Sequence, residues 1–407
     1  MKNLVILGAG TAGTIMANRL APHLGPRGWR ITIVDDREDH CYQPGLLFIP
    51  FGIYSPPEVL RPLRSFIPAA VELAASAVEA VEADRKRVRL RDGRLLPFDL
   101  LVIATGCGIR PDQTEGLAEG LWHRSIFDFY TLEGAAALAG FLGAWKGGRL
   151  VVHVAEMPIK CPVAPLEFVL LADWYFRKRG MRAGVEIRFV TPLPGAFTKP
   201  RASAVLGDLL ERREIRLTSE FDVARVDTDR KAIVSWDEQT VDFDLLVTIP
   251  VNMGAEAIGR SGLGDELNFV PTHRHTLRAE RFDDIFVIGD ATNLPTSKAG
   301  SAVHYQARTL AQNILHAVGG TPLAASYDGH ANCFIESGFD RGILIDFTYD
   351  QEPLPGTFPF PGIGPFSLLA ETRVNHYGKM FFRWAYWNLL LRGRKIPFDT
   401  RWPGPGR

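Results

Sequence analysis

The sequence has no excess of charge of either sign. Its 407 residues include 46 lysines and arginines and 46 aspartates and glutamates. Proteins that bind nucleic acid usually carry a basic excess or a basic face, so we expect no nucleic-acid partner. Any attachment to a membrane must then depend on a local patch of the surface.

Cysteine is also scarce. The four cysteines, Cys41, Cys107, Cys161 and Cys333, are far apart and form no CxxC pair. This spacing argues against a structural zinc site and a secreted disulfide scaffold, and we expect no bound metal. It leaves only those pairs that tertiary folding brings together.

No uncharged apolar run approaches the roughly 20 residues of a membrane-spanning helix. Residues 1–3 lead directly into the first apolar run, so we expect no signal peptide. With 46% hydrophobic and 23% charged residues, the chain is expected to be globular and long enough for two α/β domains and a tail.

The first thirty-five residues have the order of a dinucleotide-binding unit. An apolar run enters Gly8-Ala9-Gly10-Thr11-Ala12-Gly13 and a helical segment, and a second apolar run ends at Asp35. Gly8 permits the tight turn, Gly10 lets backbone N–H groups approach a pyrophosphate, and Gly13 allows close packing of the helix on the strand. The helix N-terminus directs its positive end at the diphosphate, and Asp35 is placed to accept from ribose hydroxyls.

Two later segments are expected to close around the same ligand. Ala104, Thr105 and Gly106 end a buried strand, while Gly289 and Asp290 end another that precedes Lys298, Ala299 and a long helix. Asp290 can accept from the ribityl hydroxyls of a flavin, and the helix N-terminus near Lys298 can place positive potential against the reduced ring. We expect Cys107 to be a packing residue near this cofactor.

The second strand-to-helix turn of the chain lacks glycine. A strand at 148–155 is followed by Glu156-Met157-Pro158-Ile159-Lys160-Cys161-Pro162 and a helix at about 166–179, and a nicotinamide pyrophosphate could not approach such a backbone. Cys161 is predicted to lie at the helix N-terminus beside Lys160, and both features stabilise a thiolate. Glu167 in the first turn either complements the helix dipole or shuttles a proton.

The composition changes beyond residue 320. Residues 353–365 mix proline, glycine and phenylalanine, do not read as a packed α/β unit, and are predicted to line a pocket for an aromatic ring. Residues 374–398 contain no acidic residue, and their core, 380–391, is apolar nearly all round, with Lys379, Arg392, Arg394 and Lys395 beside it. Twelve helical residues rise only about 18 Å, so this helix is expected to lie in the lipid headgroup boundary. A buried helix at a dimer interface is the alternative, which leaves a homo-oligomer open.

Together with Cys333, these segments resemble the sulfide:quinone oxidoreductase family. That family belongs to the two-dinucleotide-domain flavoproteins, with the type II NADH dehydrogenases and the flavoprotein of flavocytochrome c sulfide dehydrogenase. The resemblance implies an α/β fold with two Rossmann-like domains, bound FAD and a C-terminal membrane-associating segment, in a peripheral membrane protein. We therefore divide the chain into an FAD-binding domain (1–113 and 247–320), a second Rossmann-like domain without the NAD fingerprint (114–246), and a quinone and membrane segment (321–407).

The resemblance also assigns roles to residues. It implies that Cys161 and Cys333 are a redox pair on one face of the flavin, and that quinone docks at the other, for which we select Phe334, Phe358 and Phe360. The chain departs from the better-known branches because residues 127–130 replace an additional cysteine and residues 191–200 lack a histidine. Cys41 lies where the flavocytochrome flavoprotein attaches its flavin, so covalent attachment through Cys41 and the form of the sulfur product are left open.

The resulting hypothesis is oxidation of sulfide. HS⁻ attacks a Cys161–Cys333 disulfide or sulfur bridge and leaves a persulfide on one cysteine and a thiolate on the other, from which electrons pass to FAD and then to a membrane quinone. Lys160 and the helix dipole favour Cys161 as the thiolate that reacts with the flavin. Two alternatives remain, an NADH:quinone oxidoreductase and a flavin-bearing sulfur carrier or redox sensor that hands persulfide to a partner.

Overall fold

The computed structural model describes residues 1–394. Lys395 and Phe398, which the sequence assigns to the C-terminal apolar stretch, lie outside the described residues. Within them the α-helices are α1 (Thr11–Leu24), α2 (Leu132–Ala144), α3 (Ala164–Lys178), α4 (Pro200–Arg212), α5 (Glu256–Arg260), α6 (Gly300–Val318) and α7 (Arg373–Ala385).

The first glycine-rich turn belongs to a five-stranded parallel sheet. Its strands, in spatial order, are Ile285–Val287, Leu100–Ile103, Lys2–Leu7, Trp29–Asp35 and Glu72–Ala75. The continuous apolar run of the first strand is explained by burial on both faces, since Leu4 and Ile6 pack in one core cluster and Val5 and Leu7 in another. The α/β character and the return of the chain to this sheet after the second unit agree with the expectation.

A second five-stranded parallel sheet is formed by residues 126–249, which lie in the sequence between the Leu100–Ile103 and Ile285–Val287 strands of the first sheet. Its strands, in spatial order, are Ile126–Phe127, Leu245–Ile249, Gly148–Val154, Val185–Val190 and Arg216–Thr218. The Leu245–Ile249 strand pairs with Gly148–Val154, so the chain remains in the second unit through residue 249. It leaves a few residues later than the expected boundary at 246.

Short antiparallel sheets complete and connect these units. Cys107–Arg110 pairs with Val251–Gly254 where the chain crosses between the units. The other strands are Asp39–Cys41 with Leu60–Pro62, Val78–Glu82 with Arg87–Leu90 and Leu95–Pro97, and Val223–Asp227 with Ala232–Ser235 and Thr240–Asp242.

The C-terminal region is more ordered than the sequence indicates. Four strands, Ala331–Gly338, Arg341–Phe347, Phe366–Leu368 and Gly356–Phe358, form one sheet in that spatial order, and its first strand packs against α3, α6 and α7. The expectation that this region is not a packed α/β unit is therefore wrong. Short strands with glycine- and proline-rich connections hide the alternation by which a sheet is recognised in a sequence.

The apolar C-terminal stretch is also divided differently from the prediction. Helix α7 ends at Ala385, and the next turn buries Tyr386, Trp387, Leu390 and Leu391 against the N-terminal unit. Trp387 stacks on Phe66 with a centroid distance of 5.3 Å. Much of the predicted lipid-facing core is thus protein core, and no helix in residues 1–394 is long and apolar enough to span a bilayer.

Candidate active site

A single internal cavity brings the sequence-predicted segments together. Its lining residues include the predicted Gly10, Thr11, Ala12, Ala104, Thr105, Gly106, Lys160, Cys161, Glu167, Gly289, Asp290, Lys298, Ala299, Cys333 and Phe334. Gly8 and Gly13 lie behind this surface and shape it. An added Cβ would lie 2.6 Å from the Ala104 carbonyl oxygen at Gly8 and 1.8 Å from the Gly8 carbonyl oxygen at Gly13.

Asp35 lies beside the glycine turn and is not a lining residue of the cavity. Its Oδ2 accepts from the Ala9 N–H at 2.6 Å, and Arg37 donates to both carboxylate oxygens. These bonds and the charge of Arg37 outweigh burial and lower the pKa of Asp35. Asp35 thus fixes the turn and positions Arg37, which does line the cavity, while contact with a ribose stays a prediction.

The cavity has donors that fit a flavin dinucleotide. Helices α1 and α6 both begin at its wall without a side-chain cap, so the N–H groups of their first turns remain available to a ligand. The buried Thr105 Oγ1 has no hydrogen-bond partner within residues 1–394. FAD would place its diphosphate at α1, and its ring would then lie towards α6 and the cysteines.

Lys298 contributes to this wall through its backbone. Its ammonium group donates to the carbonyls of Asp290 at 3.1 Å and Thr292 at 2.6 Å, and lies 3.8 Å from the centroid of the Phe269 ring. The positive potential that faces the cavity therefore comes from the start of α6, at Gly300 and Ser301. Burial raises the pKa of Asp290, whose carboxyl group is enclosed at the same wall.

The turn before α3 brings Cys161 to the cavity. Nine residues, 155–163, separate the strand from α3, whereas three, 8–10, separate the first strand from α1. The longer turn runs beside the segment before α6, where the Cys161 N–H donates to the Lys298 carbonyl at 2.7 Å. Cys161 lies three residues before α3 and has a φ of 45°, a region that non-glycine residues rarely occupy.

Cys333 lies on the Ala331–Gly338 strand of the C-terminal sheet, which brings it to the same cavity. Both cysteines are free thiols and both line the cavity, although they are 172 positions apart in the sequence. Burial raises the pKa of the Cys333 thiol to about 11, against an opposing effect of Lys379. Burial likewise raises the pKa of Cys161, and the neighbouring Cys333 and Glu167 raise it further.

The cation beside the thiols is not the one that the sequence suggests. Lys160 directs its ammonium group to Gln43 Oε1 at 3.3 Å and is not among the main groups that shift the pKa of Cys161. Lys379 of α7, only 9% exposed, opposes the effect of burial on the pKa of both thiols. The interpretation of Lys160 as the stabiliser of a Cys161 thiolate is corrected accordingly.

Glu167 forms a buried ion pair with this lysine. The carboxyl group is 1% exposed, and its Oε1 accepts from Lys379 Nζ and from the Glu336 N–H, each at 2.7 Å. Burial raises the pKa of Glu167 although Lys379 lowers it. The first-turn position that suggested a helix-dipole role instead places this carboxyl group inside the cavity wall.

The predicted quinone residues separate into three environments. Phe334 lines the cavity, Phe358 is buried in a small cluster with Leu344 and Leu368, and Phe360 is 50% exposed. The aromatic residues that join Phe334 at the cavity are instead Phe129, Tyr130, Phe382 and Tyr386. Phe358 and Phe360 are therefore not cavity residues, since Phe358 lies on the Gly356–Phe358 strand in its own small cluster and Phe360 in the exposed loop after it.

Cys41 and Tyr386 show the limits of local motifs. Cys41, on the short Asp39–Cys41 strand, is not a lining residue, and burial raises its pKa to about 11. Tyr386 was missed, yet its hydroxyl group lies 2.7 Å from both Thr11 Oγ1 and His40 Nε2. The C-terminal turn therefore touches the dinucleotide-binding turn directly, a contact across 375 positions that no local pattern contains.

Comparison with known proteins places this geometry among characterised enzymes. A family model described as pyridine nucleotide-disulphide oxidoreductase matches residues 2–135. The mitochondrial sulfide:quinone oxidoreductases of Mus musculus and Dictyostelium discoideum are 27% and 29% identical to the chain, over 99% and 98% of it and 87% of each relative. The chain is a homologue of the sulfide:quinone oxidoreductases. The resemblance predicted from the sequence is thus confirmed, and the family agrees with FAD as the cofactor.

The fold agrees with the same assignment. The crystal structure of the sulfide:quinone oxidoreductase from Aquifex aeolicus superimposes with a TM-score of 0.79 and 21% identity, covering 97% of this chain and 92% of that one. At this identity the match shows that the homologue shares the two-unit α/β fold and its C-terminal region.

Proposed function

We propose that the protein is an FAD-dependent oxidoreductase that oxidises sulfide to sulfane sulfur and passes the electrons to a membrane quinone. The observation that supports this proposal most is that Cys161 and Cys333 line the same cavity as the glycine turn of the first unit. The names of the curated relatives support sulfide and quinone as the two substrates.

The reaction begins at an oxidised bridge between the two cysteines. HS⁻ breaks the bridge, forms a bond to one sulfur and leaves the other as a thiolate. Loss of two electrons and one proton from the persulfide and thiolate joins them again as a bridge longer by one sulfur. FAD, held at the Gly8–Gly13 turn and the start of α6, would supply the two-electron acceptor for that step, from which quinone would take the electrons.

Residues around the bridge stabilise the thiolate, position Cys161 and bind the quinone. Lys379 lies close enough to oppose burial at both thiols and therefore stabilises the thiolate formed by the attack. The backbone bond from Cys161 to Lys298 fixes the cysteine relative to the start of α6. Quinone docks against Phe334 and Phe382, which line the cavity next to α7.

Substitution of each cysteine tests the proposal. Cys161→Ser and Cys333→Ser should each abolish anaerobic bleaching of the flavin by sulfide while the purified protein keeps its 450 nm absorbance. Cys107→Ala is the matched control, since Cys107 lines the same cavity and its thiol contacts Asn252 Oδ1 at 3.9 Å. Bleaching at an unchanged rate in Cys161→Ser would refute the cysteine mechanism.

We further propose that the outer face of α7 contacts the membrane surface. Val374, Tyr377, Phe381 and Trp384 follow a three- and four-residue spacing along one face of the helix, and all four are exposed. Phe360 and Ile363 add further exposed apolar surface in the preceding loop. This arrangement suits a helix that lies in the headgroup boundary with its opposite face packed on protein.

Vesicle sedimentation tests the membrane contact. The double variant Phe381→Ser and Trp384→Ser should lose binding to phospholipid vesicles, whereas Trp236→Ser, which removes a 76% exposed tryptophan from the second unit, should not. A different result would show that a second copy of the chain covers this face instead. In that case the double variant would still sediment with the vesicles, but it would be a monomer where the parent protein is a dimer.

A further inference from the structure

The inner face of α7 has a set of buried ionisable groups that the electron-transfer steps do not use. His376 Nδ1 lies 2.9 Å from Glu336 Oε2, and Glu336 is 2% exposed. His376 and Lys379 are three positions apart and share one face of the helix. The Glu336 backbone N–H donates to the Glu167 oxygen that also accepts from Lys379.

These groups extend from the protein surface to the cavity. At the outer end, His376 Nε2 lies 4.0 Å from Asp340 Oδ1, and the side chain of Asp340 is 74% exposed. At the inner end, Glu167 and Lys379 both line the cavity. Glu167 Oε2 is buried and has no hydrogen-bond partner among residues 1–394.

Several other charged groups contact this series of ionisable residues. Asp340 and Glu336 face His376, and His376, Glu167 and Lys379 act on Glu336. Burial raises the pKa of Tyr54 in the neighbouring loop, Arg383 and Lys379 oppose this, and Glu58 and Glu336 add to it. The Glu336 backbone N–H donates to Glu167 Oε1 at 2.7 Å, and the charge of Glu167 adds to the effect of burial in raising the pKa of Glu336, so the two acids are neighbours between which a proton can pass.

The proposed reaction needs a proton at this place. HS⁻ gives up two electrons and one proton on reaching the sulfane level, whereas a quinone takes up two electrons and two protons to become a quinol. One further proton per turnover must therefore come from water. Lys379 and Phe382 of α7 line the cavity next to Phe334, so groups on the inner face of α7 lie next to the proposed quinone site.

We propose that His376, Glu336 and the Glu167–Lys379 pair form a proton relay that carries this proton from the surface at Asp340 to the quinone. The relay rests on the proposed function for the identity of its acceptor. His376 and Glu336 are positioning and transfer groups that act through Glu167 and Lys379, which alone reach the cavity. The same helix thus presents an apolar face outwards and a proton-conducting face inwards.

Reoxidation of the enzyme by quinone isolates this step. The holoenzyme is reduced stoichiometrically with dithionite, mixed anaerobically with a soluble ubiquinone analogue, and followed at 450 nm together with proton uptake by an indicator dye. At pH 8, flavin reoxidation and proton uptake in His376→Ala should both be about tenfold slower than in the parent protein. At pH 6 both rates should be within about twofold of the parent rates, because free protons replace the relay. His23→Gln, an exposed histidine on α1, is the matched control and should change neither rate.

Chemical rescue separates a proton relay from a structural role. Imidazole should restore the pH 8 rate of His376→Ala, and Glu336→Gln should show the same pH-dependent defect as His376→Ala with no additive effect in the double variant. An unchanged pH 8 rate in His376→Ala, or a defect that is equal at both pH values and insensitive to imidazole, overturns the relay. Since dithionite replaces sulfide, these results are independent of whether sulfide reduces the enzyme, which is tested by sulfide bleaching of the parent protein.

Discussion

The two strand-to-helix turns of this protein occupy equivalent places in two similar units, but they differ in length, in glycine content and in the groups that they present to the cavity. The first is three residues long, and the carbonyl of Gly8 approaches Gly13 so closely that no side chain fits between them. The second is nine residues long, contains no glycine, and brings a buried thiol to the cavity. The first turn leaves its backbone open to a ligand, and the second presents the Cys161 side chain instead, which the proposed function makes the reactive group.

Helix α7 contacts both places. Tyr386, just after it, bonds to Thr11 of the first turn, and Lys379 pairs with Glu167 in the first turn of α3. The segment whose outer face is proposed to meet the membrane therefore stabilises the flavin-binding turn and the thiol-bearing turn together. Loss of either contact should affect its own turn and leave the other intact.

The largest effect is expected at the first turn. Gly13→Ala places a Cβ 1.8 Å from the Gly8 carbonyl oxygen, so we expect loss of soluble folded protein or destabilisation by more than about 4 kcal/mol. Gly10→Ala meets only Arg37 Nη2 at 3.7 Å and should keep the fold while losing FAD. Denaturant unfolding and the 450 nm to 280 nm absorbance ratio measure the two outcomes, and equal behaviour of the variants would contradict this account of the turn.

The second largest effect is expected at the pair that supports the thiols. Lys379→Met leaves the Glu167 carboxylate buried without its cation, which should cost about 3 to 5 kcal/mol of unfolding free energy. Adding Glu167→Gln should recover part of that loss, because no buried charge then remains. A double variant whose loss equals the sum of the two single losses would show that the pair is not coupled.

Acid should destabilise the region around the first turn through His40. Burial lowers the pKa of His40 from 6.5 to about 4, so the unfolded chain binds a proton that the folded protein does not. This contribution is complete above pH 6.5 and is lost as the pH falls towards 4, by up to about 3 kcal/mol. His40→Gln should flatten the stability profile between pH 6.5 and 4, and a variant as acid-sensitive as the parent would disprove the assignment.

The smallest effect is expected from the hydroxyl group that joins α7 to the first turn. Tyr386→Phe removes the hydrogen bonds to Thr11 and His40, worth about 1 kcal/mol, and should weaken FAD binding about fivefold. Reconstitution of the FAD-stripped protein by fluorescence titration measures this change. The rate of sulfide bleaching in the reloaded variant should not change, since the second turn is untouched.

The sequence was sufficient for the parts of the site that depend on local constraint. Glycines at a strand end, an acid after a second strand, and a glycine-free turn with Cys161 all have short-range physical causes. The structure brings the glycine turn and the Cys161 turn to one cavity, with Asp35 bonded to the glycine turn behind it. The central strands Lys2–Leu7, Leu100–Ile103 and Gly148–Val154 were recognisable because they are largely buried on both faces. The outer strands Glu72–Ala75 and Arg216–Thr218 are largely exposed and were not predicted. The resemblance supplied Cys333, which no local motif marks.

The missing parts depend on long-range packing. Lys379 looked like a flanking charge of an apolar helix, and only the fold shows that it turns inwards to Glu167. A signal was nevertheless present, since Tyr377, Phe381 and Trp384 define one helical face and leave His376 and Lys379 on another. The partners Glu336 and Tyr386 had no such signal, because their contacts join segments 40 and 375 positions apart.

The central claim is that the second turn offers a thiol where a nicotinamide would otherwise bind. Anaerobic stopped-flow mixing of the FAD-loaded protein with equal concentrations of sulfide, NADH and NADPH tests it directly at 450 nm. The account predicts rapid bleaching by sulfide and no bleaching by either nicotinamide on the same timescale. Bleaching by NADH or NADPH without bleaching by sulfide would contradict it.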